Sequence, residues 1–294
     1  MHPILFHAGP ITVRSYGVLL ITGFLLGLWR ATRMLTRRAA ILPEGSPRRI
    51  APEQMFDFAI IGLLLGIVGA RILFVILNWA PSKDSTTSFS SHPLDAFKIW
   101  EGGLSLHGGL IAGVLFLIWW TRRHKVSWLA LGDVCAPSWA LAYVFGRIGC
   151  FLNGCCYGGT CDPRLPWAMK FHDEHYPDAT ALTPPSHPTQ LYAVLFNIVF
   201  FVWLSLWEKK PRRDGELFFG YIAMYGFYRY IVDIFRVGGT SSYLTPHLFV
   251  SLAQLASIAM IVLGIGGIVW LRKTRPAVAD PPAPPVVEGK AVTE

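Results

Sequence analysis

The segment MFDFAIIGLLLGIVGARILFVIL, residues 55–77, decides the architecture of this chain. A helix needs about 20 apolar residues to cross the hydrocarbon core of a bilayer. This segment meets that length with only Asp57 and Arg71 charged, and it is too long for a buried strand. Six more apolar stretches surround it, at 16–29, 104–120, 128–152, 190–207, 217–235 and 248–271. The first and third are short. Over all 294 residues, 53% are hydrophobic and 15% charged, against about 25% charged in a soluble domain. That balance excludes a soluble enzyme, a disordered chain, collagen and a small disulfide scaffold. The expectation is an all-α integral membrane protein with seven transmembrane helices.

Basic residues predict its sidedness. Arg30, Arg33, Arg37, Arg38, Arg48 and Arg49 fall between the first two stretches. Arg122, Arg123 and Lys125 follow the third, Lys209, Lys210, Arg212 and Arg213 the fifth, and Arg272, Lys273, Arg275 and Lys290 the seventh. Seventeen of the 26 Lys and Arg therefore share one side. Cytoplasmic loops carry such an excess, so the N-terminus is expected outside and the C-terminus in the cytoplasm. One polytopic domain covers 1–273, with outer loops at 79–103 and 153–189, and 274–294 reads as a disordered cytoplasmic tail rich in Pro and Ala. The first stretch has its charges on the C-terminal flank, unlike a cleaved signal peptide. Arg30 and Arg33 are expected to snorkel from its end. The net charge of +8 then reflects topology and anionic lipid, and nucleic acid is excluded as a partner.

An ionisable side chain inside a span costs about 2.5–3.5 kcal/mol on insertion scales, so each one asks for a reason. Arg71, His107, Arg147, Arg229 and Arg236 fall in the outer half of the bilayer or at mid-depth, together with Tyr16 and Tyr225. Guanidinium groups gathered there suit an anionic ligand, because the planar fork binds phosphate oxygens bidentately. A phospholipid headgroup is the ligand expected at that depth. Structural readings stand beside this one. Arg229 and Asp233 are four apart and can neutralise each other on one helix face. Arg71 can pair with another helix, His107 can be a plain hydrogen-bonding residue, and Asp133 suits packing or helix capping. The spacings Gly23–Gly27, Gly62–Gly66 and Gly109–Gly113 predict close helix packing.

Four of the five cysteines, Cys150, Cys155, Cys156 and Cys161, form one cluster of the pattern Cx4CCx4C. In an oxidising outer compartment disulfides are the default, with a redox-active pair as the alternative. A four-thiolate metal site is a further alternative, although the spacing is not that of a usual zinc ribbon; no metal and no cofactor are expected. Cys135 reads as a small core residue.

In order along the chain come RSYG (14–17), GARILFV (69–75), EGGLSLHGGL (101–110), GRIGCFLNGCCYG (146–158), SHPTQLY (186–192) and YGFYRYIVDIFR (225–236). Together they resemble the prolipoprotein diacylglyceryl transferase family, over about residues 14–271. The resemblance implies a bacterial inner-membrane enzyme that moves the diacylglyceryl group of phosphatidylglycerol onto a lipobox cysteine thiol of a prolipoprotein. A thioether forms and glycerol 1-phosphate leaves. By the same resemblance Arg147 and Arg229 hold the phosphate, and His107 is a candidate base for the thiol. Tyr16, Tyr225, Asn153, Gly154 and Gly158 match the family's phospholipid contacts, and Arg71 is expected to join them from its depth in the second span. The chain departs from the family pattern at Cys150 and Cys155, which stand where Asn and Glu are usual, and at Ala193 and Asp233, which stand where Glu is usual. A divergent paralogue, or a membrane thiol–disulfide protein working through the cysteine cluster, is the alternative. A transporter is disfavoured by the lack of an internal repeat.

Overall fold

A computed structural model describes residues 4–8, 11–80, 89–90, 92–99, 102–172, 182–210, 212–236, 243–245 and 248–276. Seven helices run through them: α1 (Ser15–Ala39), α2 (Pro52–Leu77), α3 (Leu106–His124), α4 (Trp128–Asn153), α5 (Thr189–Trp207), α6 (Glu216–Ile234) and α7 (Leu252–Thr274). Five of them, α1, α2, α4, α5 and α7, are long and apolar enough to cross a membrane by length and composition. Their outward sides carry large apolar groups. On α2, Leu64 is 57% exposed and Ile76 62%, a surface suited to lipid rather than water.

Two boundaries differ from those expected. Helix α1 continues ten residues past Trp29 to Ala39, because Arg30, Ala31, Arg33, Met34, Leu35, Arg37 and Arg38 are good helix formers although the arginines lower the local hydropathy. Residues 248–251 are not the start of the last helix. They form strand β4 (Leu248–Ser251), paired antiparallel with β3 (Tyr243–Thr245). A second hairpin joins β1 (Ile4–Ala8) to β2 (Ile11–Arg14) ahead of α1. The all-α expectation holds for the main elements, and two short hairpins are added to them. Of the tail expected at 274–294, residues beyond 276 lie outside the described residues, as do parts of both expected outer loops.

The helices group into two compact units. One holds the described residues up to Met34 and from Gly132 onward; the other holds Leu35–Leu131. In the first, the basic helix ends are gathered by specific polar contacts. Arg30 pairs with Glu208 at the end of α5 rather than snorkelling away. Glu216 opens α6 and meets Arg272 of α7 at 3.2 Å. Asp133, fully buried, accepts from the Gly215 N–H (2.9 Å) and the Phe218 N–H (3.0 Å), capping α6 from another helix. A carboxylate there satisfies two orphan donors and meets the positive end of the helix dipole. This bears out the capping role for Asp133.

Glycine stripes let helices touch. A Cβ on Gly23 would come within 2.9 Å of the Ala142 carbonyl, so α1 lies hard against α4 there. In the second unit the closest approach is at Gly69 and Gly108, where a Cβ on Gly69 would lie 2.8 Å from the Gly108 carbonyl. The Gly109–Gly113 spacing contributes less, since among the described residues nothing lies within 4 Å of a Cβ at Gly113.

Candidate functional site

Helix α4 organises the site. Tyr143 and Arg147 are one turn apart, and the Arg147 guanidinium donates through Nη2 to the Tyr143 hydroxyl. The same guanidinium sits over the Tyr143 ring, 4.8 Å from its centroid. This combines a hydrogen bond to a cation with a cation–π contact in a partly buried setting. The Tyr143 hydroxyl also meets that of Tyr228 on α6 at 3.2 Å. Tyr225 packs edge-on against Tyr143 (5.8 Å) and Tyr228 (5.5 Å). Three tyrosines thus hold one arginine in place. Tyr143 and Tyr228 were missed by sequence reasoning. The spacing from Tyr143 to Arg147 was the available signal for the first.

Arg229 sits one residue after Tyr228. Its Nη2 lies 3.3 Å from Asp233, fully buried one turn on, which bears out the pairing expected from spacing. Asp233 also accepts from the Ser251 hydroxyl. Ser251 caps α7 by accepting from the Gln254 N–H at 3.0 Å, with Gln254 Oε1 accepting from the Ser251 N–H in return. The carboxylate that steers Arg229 is therefore tied to the start of the next helix. The Arg229 Nη1 is buried without a hydrogen-bond partner among the described residues. A buried guanidinium donor left over in this way fits an anion. Arg236, just past α6, lies within electrostatic range of both Arg229 and Arg147.

The last turn of α4 and the turn after it carry the thiols. The Sγ atoms of Cys150, Cys155 and Cys156 all lie within 4.8 Å of one another. Cys161 is outside that group, its N–H donating to the Pro185 carbonyl at 2.8 Å. All five cysteines are free thiols. Gly154 (φ +77°) and Cys156 (φ +64°) take left-handed backbone, which reverses the chain tightly. Gln190 donates to the Cys155 carbonyl (2.7 Å) and Thr189 to the Cys156 carbonyl (3.0 Å), pinning the turn to the start of α5. Hydrogen bonding from Cys150 and then Cys155, with the charges of Arg147 and Arg236, holds the Cys156 thiol well below the usual thiol range. Burial pushes the His187 imidazole down, and its Nδ1 meets the Tyr192 hydroxyl at 3.1 Å.

The remaining expected residues fall as follows. Tyr16 is the second residue of α1, 39% exposed, and crosses α4 at Gly149, where a Cβ would lie 3.1 Å from its ring. Arg147 and the three clustered thiols act electrostatically on its hydroxyl. Asn153 ends α4 and adjoins the Cys155 thiol. Gly158 approaches protein closely, since a Cβ there would lie 2.5 Å from the Phe235 carbonyl. Ala193 is buried in the aromatic core with Tyr228 and Phe200.

Arg71 and His107 belong to the other unit. His107 is exposed at the start of α3. Arg71 is buried, and every guanidinium N–H is spent on backbone carbonyls. Its Nε donates to Ala96, Nη1 to Gly102 and Gly103, and Nη2 to Asp95 and Lys98, at 2.6–3.1 Å. Phe74 and Phe89 flank it. Gly102 (φ +88°) and Gly103 (φ +75°) supply the left-handed backbone that turns their carbonyls inward. Bonded in this way, Arg71 folds the loop before α3.

Lipid-facing apolar helices around an arginine–tyrosine cluster define an integral membrane protein of several helical spans with a cation-lined site. A family profile described as Prolipoprotein diacylglyceryl transferase matches residues 3–270. The chain belongs to this family. It is similar to the phosphatidylglycerol–prolipoprotein diacylglyceryl transferase of Neisseria gonorrhoeae (strain NCCP11945), 35% identical over 283 residues, covering 91% of this chain and 94% of that one. The protein of that name from Ralstonia pickettii (strain 12J) is 30% identical over 290 residues, covering 91% and 92%. The one from Shigella boydii serotype 4 (strain Sb227) is 32% identical over 289 residues, covering 93% and 94%.

Proposed function

We propose that this protein transfers the diacylglyceryl group of phosphatidylglycerol to a cysteine thiol of a prolipoprotein. The observation that carries the reading is the pair of arginines held by fixed partners, Arg147 by the half-buried Tyr143 and Arg229 by the buried Asp233. The unpartnered Nη1 of Arg229 supports it further. The attacking sulfur forms a bond to the terminal glycerol carbon, the C–O bond to phosphate breaks, and glycerol 1-phosphate leaves. Negative charge grows on that phosphate as the bond breaks. Fixed guanidinium groups stabilise it without reorganising. Because Asp233 already neutralises part of Arg229, Arg147 carries the larger share of the phosphate charge.

The thiol must lose its proton, and we assign that step to His107, by its place in the HGG motif. Tyr16, Tyr225, Asn153 and Gly154 complete the headgroup contacts, with Gly158 serving the packing beneath them. Seven crossings are proposed, with the N-terminus outside, the C-terminus in the cytoplasm and the site in the outer half of a bacterial inner membrane. Support comes from the seventeen basic residues of one side and from the pairing of Arg30, Arg213 and Arg272 with acids at one set of helix ends. The family match favours this reading over the thiol–disulfide alternative.

The test is incubation of purified protein with phosphatidylglycerol and a lipobox peptide, followed by mass spectrometry. A diacylglyceryl mass gain on the peptide cysteine, with glycerol phosphate released, is expected. It should vanish in Arg147→Ala and Arg229→Ala. Transfer retained in both folded variants would overturn the site.

A further inference from the structure

We propose that Cys150, Cys155 and Cys156 form a three-thiolate site for a soft d10 cation such as Zn2+, Cd2+ or Cu+. Three sulfurs at about 2.3 Å from one ion stand roughly 3.8–4.0 Å apart. The three Sγ atoms here lie within 4.8 Å of one another, so small side-chain rotations bring them onto a common centre. A disulfide joins two sulfurs at about 2.05 Å and leaves the third without a role. The backbone has instead been bent to deliver the third. Cys156 holds φ +64°, a conformation that costs an L-residue roughly 1–2 kcal/mol. That cost is sustained by the Gln190 and Thr189 bonds to the carbonyls of Cys155 and Cys156. Strain held from outside in this way marks a functional position.

Charge supports the same assignment. Three thiolates around a divalent ion leave one net negative charge, and the guanidinium groups of Arg147 and Arg236 both act on Cys156. Thiolate ligands select soft metals over Mg2+ or Ca2+. Cys161, bonded to Pro185 and outside the cluster, is not a ligand. An ion bound here ties the last turn of α4 to the turn behind it, one helical turn from Arg147. The proposal does not depend on the transferase reading.

The full chain, purified in detergent with a phosphine reductant, is titrated with CdCl2 while its ultraviolet thiolate-to-cadmium charge-transfer band is followed. One ion per chain is expected. Apparent affinity should fall at least tenfold in each of Cys150→Ser, Cys155→Ser and Cys156→Ser, and stay unchanged in Cys161→Ser. Wild-type protein gives a second readout that needs no variant. Cd2+ should protect Cys150, Cys155 and Cys156 from iodoacetamide and leave Cys161 open, as mapped by peptide mass spectrometry. The absence of a band at equimolar Cd2+, a band undiminished in Cys156→Ser, or protection that includes Cys161 would each overturn the proposal.

Discussion

Arg147 reaches back one turn along α4 to the hydroxyl of Tyr143 and lies across the same ring, 4.8 Å from its centroid. The arginine is thereby aimed by a neutral partner and keeps its full charge for a ligand. Arg229, held by the carboxylate of Asp233, does not.

Tyr143→Phe keeps the ring and removes the hydroxyl. A hydrogen bond to a charged group is worth about 1.5–3 kcal/mol, so transfer to a lipobox peptide should fall about 10- to 100-fold in kcat. The helical circular dichroism spectrum should stay unchanged. Activity within threefold of wild type would show that the ring alone positions Arg147.

Asp233 serves two partners, Arg229 and Ser251. Asp233→Ala leaves the arginine without its counter-charge and the Ser251 hydroxyl without its acceptor. Breaking a fully buried pair costs about 3–5 kcal/mol. Arg229 retains some solvent contact, so about 2 kcal/mol is expected, read as a lower thermal midpoint in detergent. Asp233→Glu should recover part of it.

Asp133 caps α6 and lies 3.8 Å from the buried Arg212, far along α4 from Arg147. Asp133→Ala should cost about 3–5 kcal/mol of stability, because it breaks a buried pair as well as a helix cap. Activity per folded molecule should be preserved, as measured by transfer at a temperature well below the unfolding midpoint. A loss of kcat at full folding would give Asp133 a part in the chemistry.

Arg71 holds five loop carbonyls. Arg71→Ala should speed amide hydrogen exchange across residues 95–103 at least tenfold and leave α6 and α7 unaffected. Arg71→Lys cannot reproduce the planar fork and should recover little.

Cys156 titrates below an ordinary thiol, because hydrogen bonds from Cys150 and Cys155 and the charges of Arg147 and Arg236 favour the thiolate. An ordinary thiol, with a pKa of about 8.5, loses roughly 75-fold in thiolate between pH 8 and pH 6. Alkylation of Cys156 by iodoacetamide should slow less than threefold over that interval. A depressed folded pKa contributes stability that is fully present above the unfolded pKa and is lost progressively as pH falls from there through the lower folded value. Denaturation driven by this group therefore belongs to the acid side. A Cys156 rate that falls as steeply as that of a model thiol would remove the thiolate.

Several features were open to reading along the chain because they are local or summed over many residues. Seven apolar stretches match seven helices among the described residues, since apolar content is summed over a window of about 20 side chains rather than set by partners. The pairing of Arg229 with Asp233 and the capping by Asp133 followed from spacing and from the cost of a buried charge. The extension of α1 to Ala39 did not, because Arg37 and Arg38 suit a helix while lowering hydropathy. The hairpins escaped for another reason: a strand is stabilised by the segment it pairs with, as Tyr243 pairs with Ser251.

The sequence by itself determined that the chain crosses a membrane in helices, which family it resembles, and which cations are too costly to bury without purpose. Only the tertiary structure decided what each cation meets. Arg71 and Arg147 are both lone arginines in apolar helices, indistinguishable by hydropathy. The fold closes five carbonyls around the first and sets a single tyrosine hydroxyl beneath the second. Hydrogen-bond saturation depends on groups distant in sequence, so it is decided where the helices and loops pack.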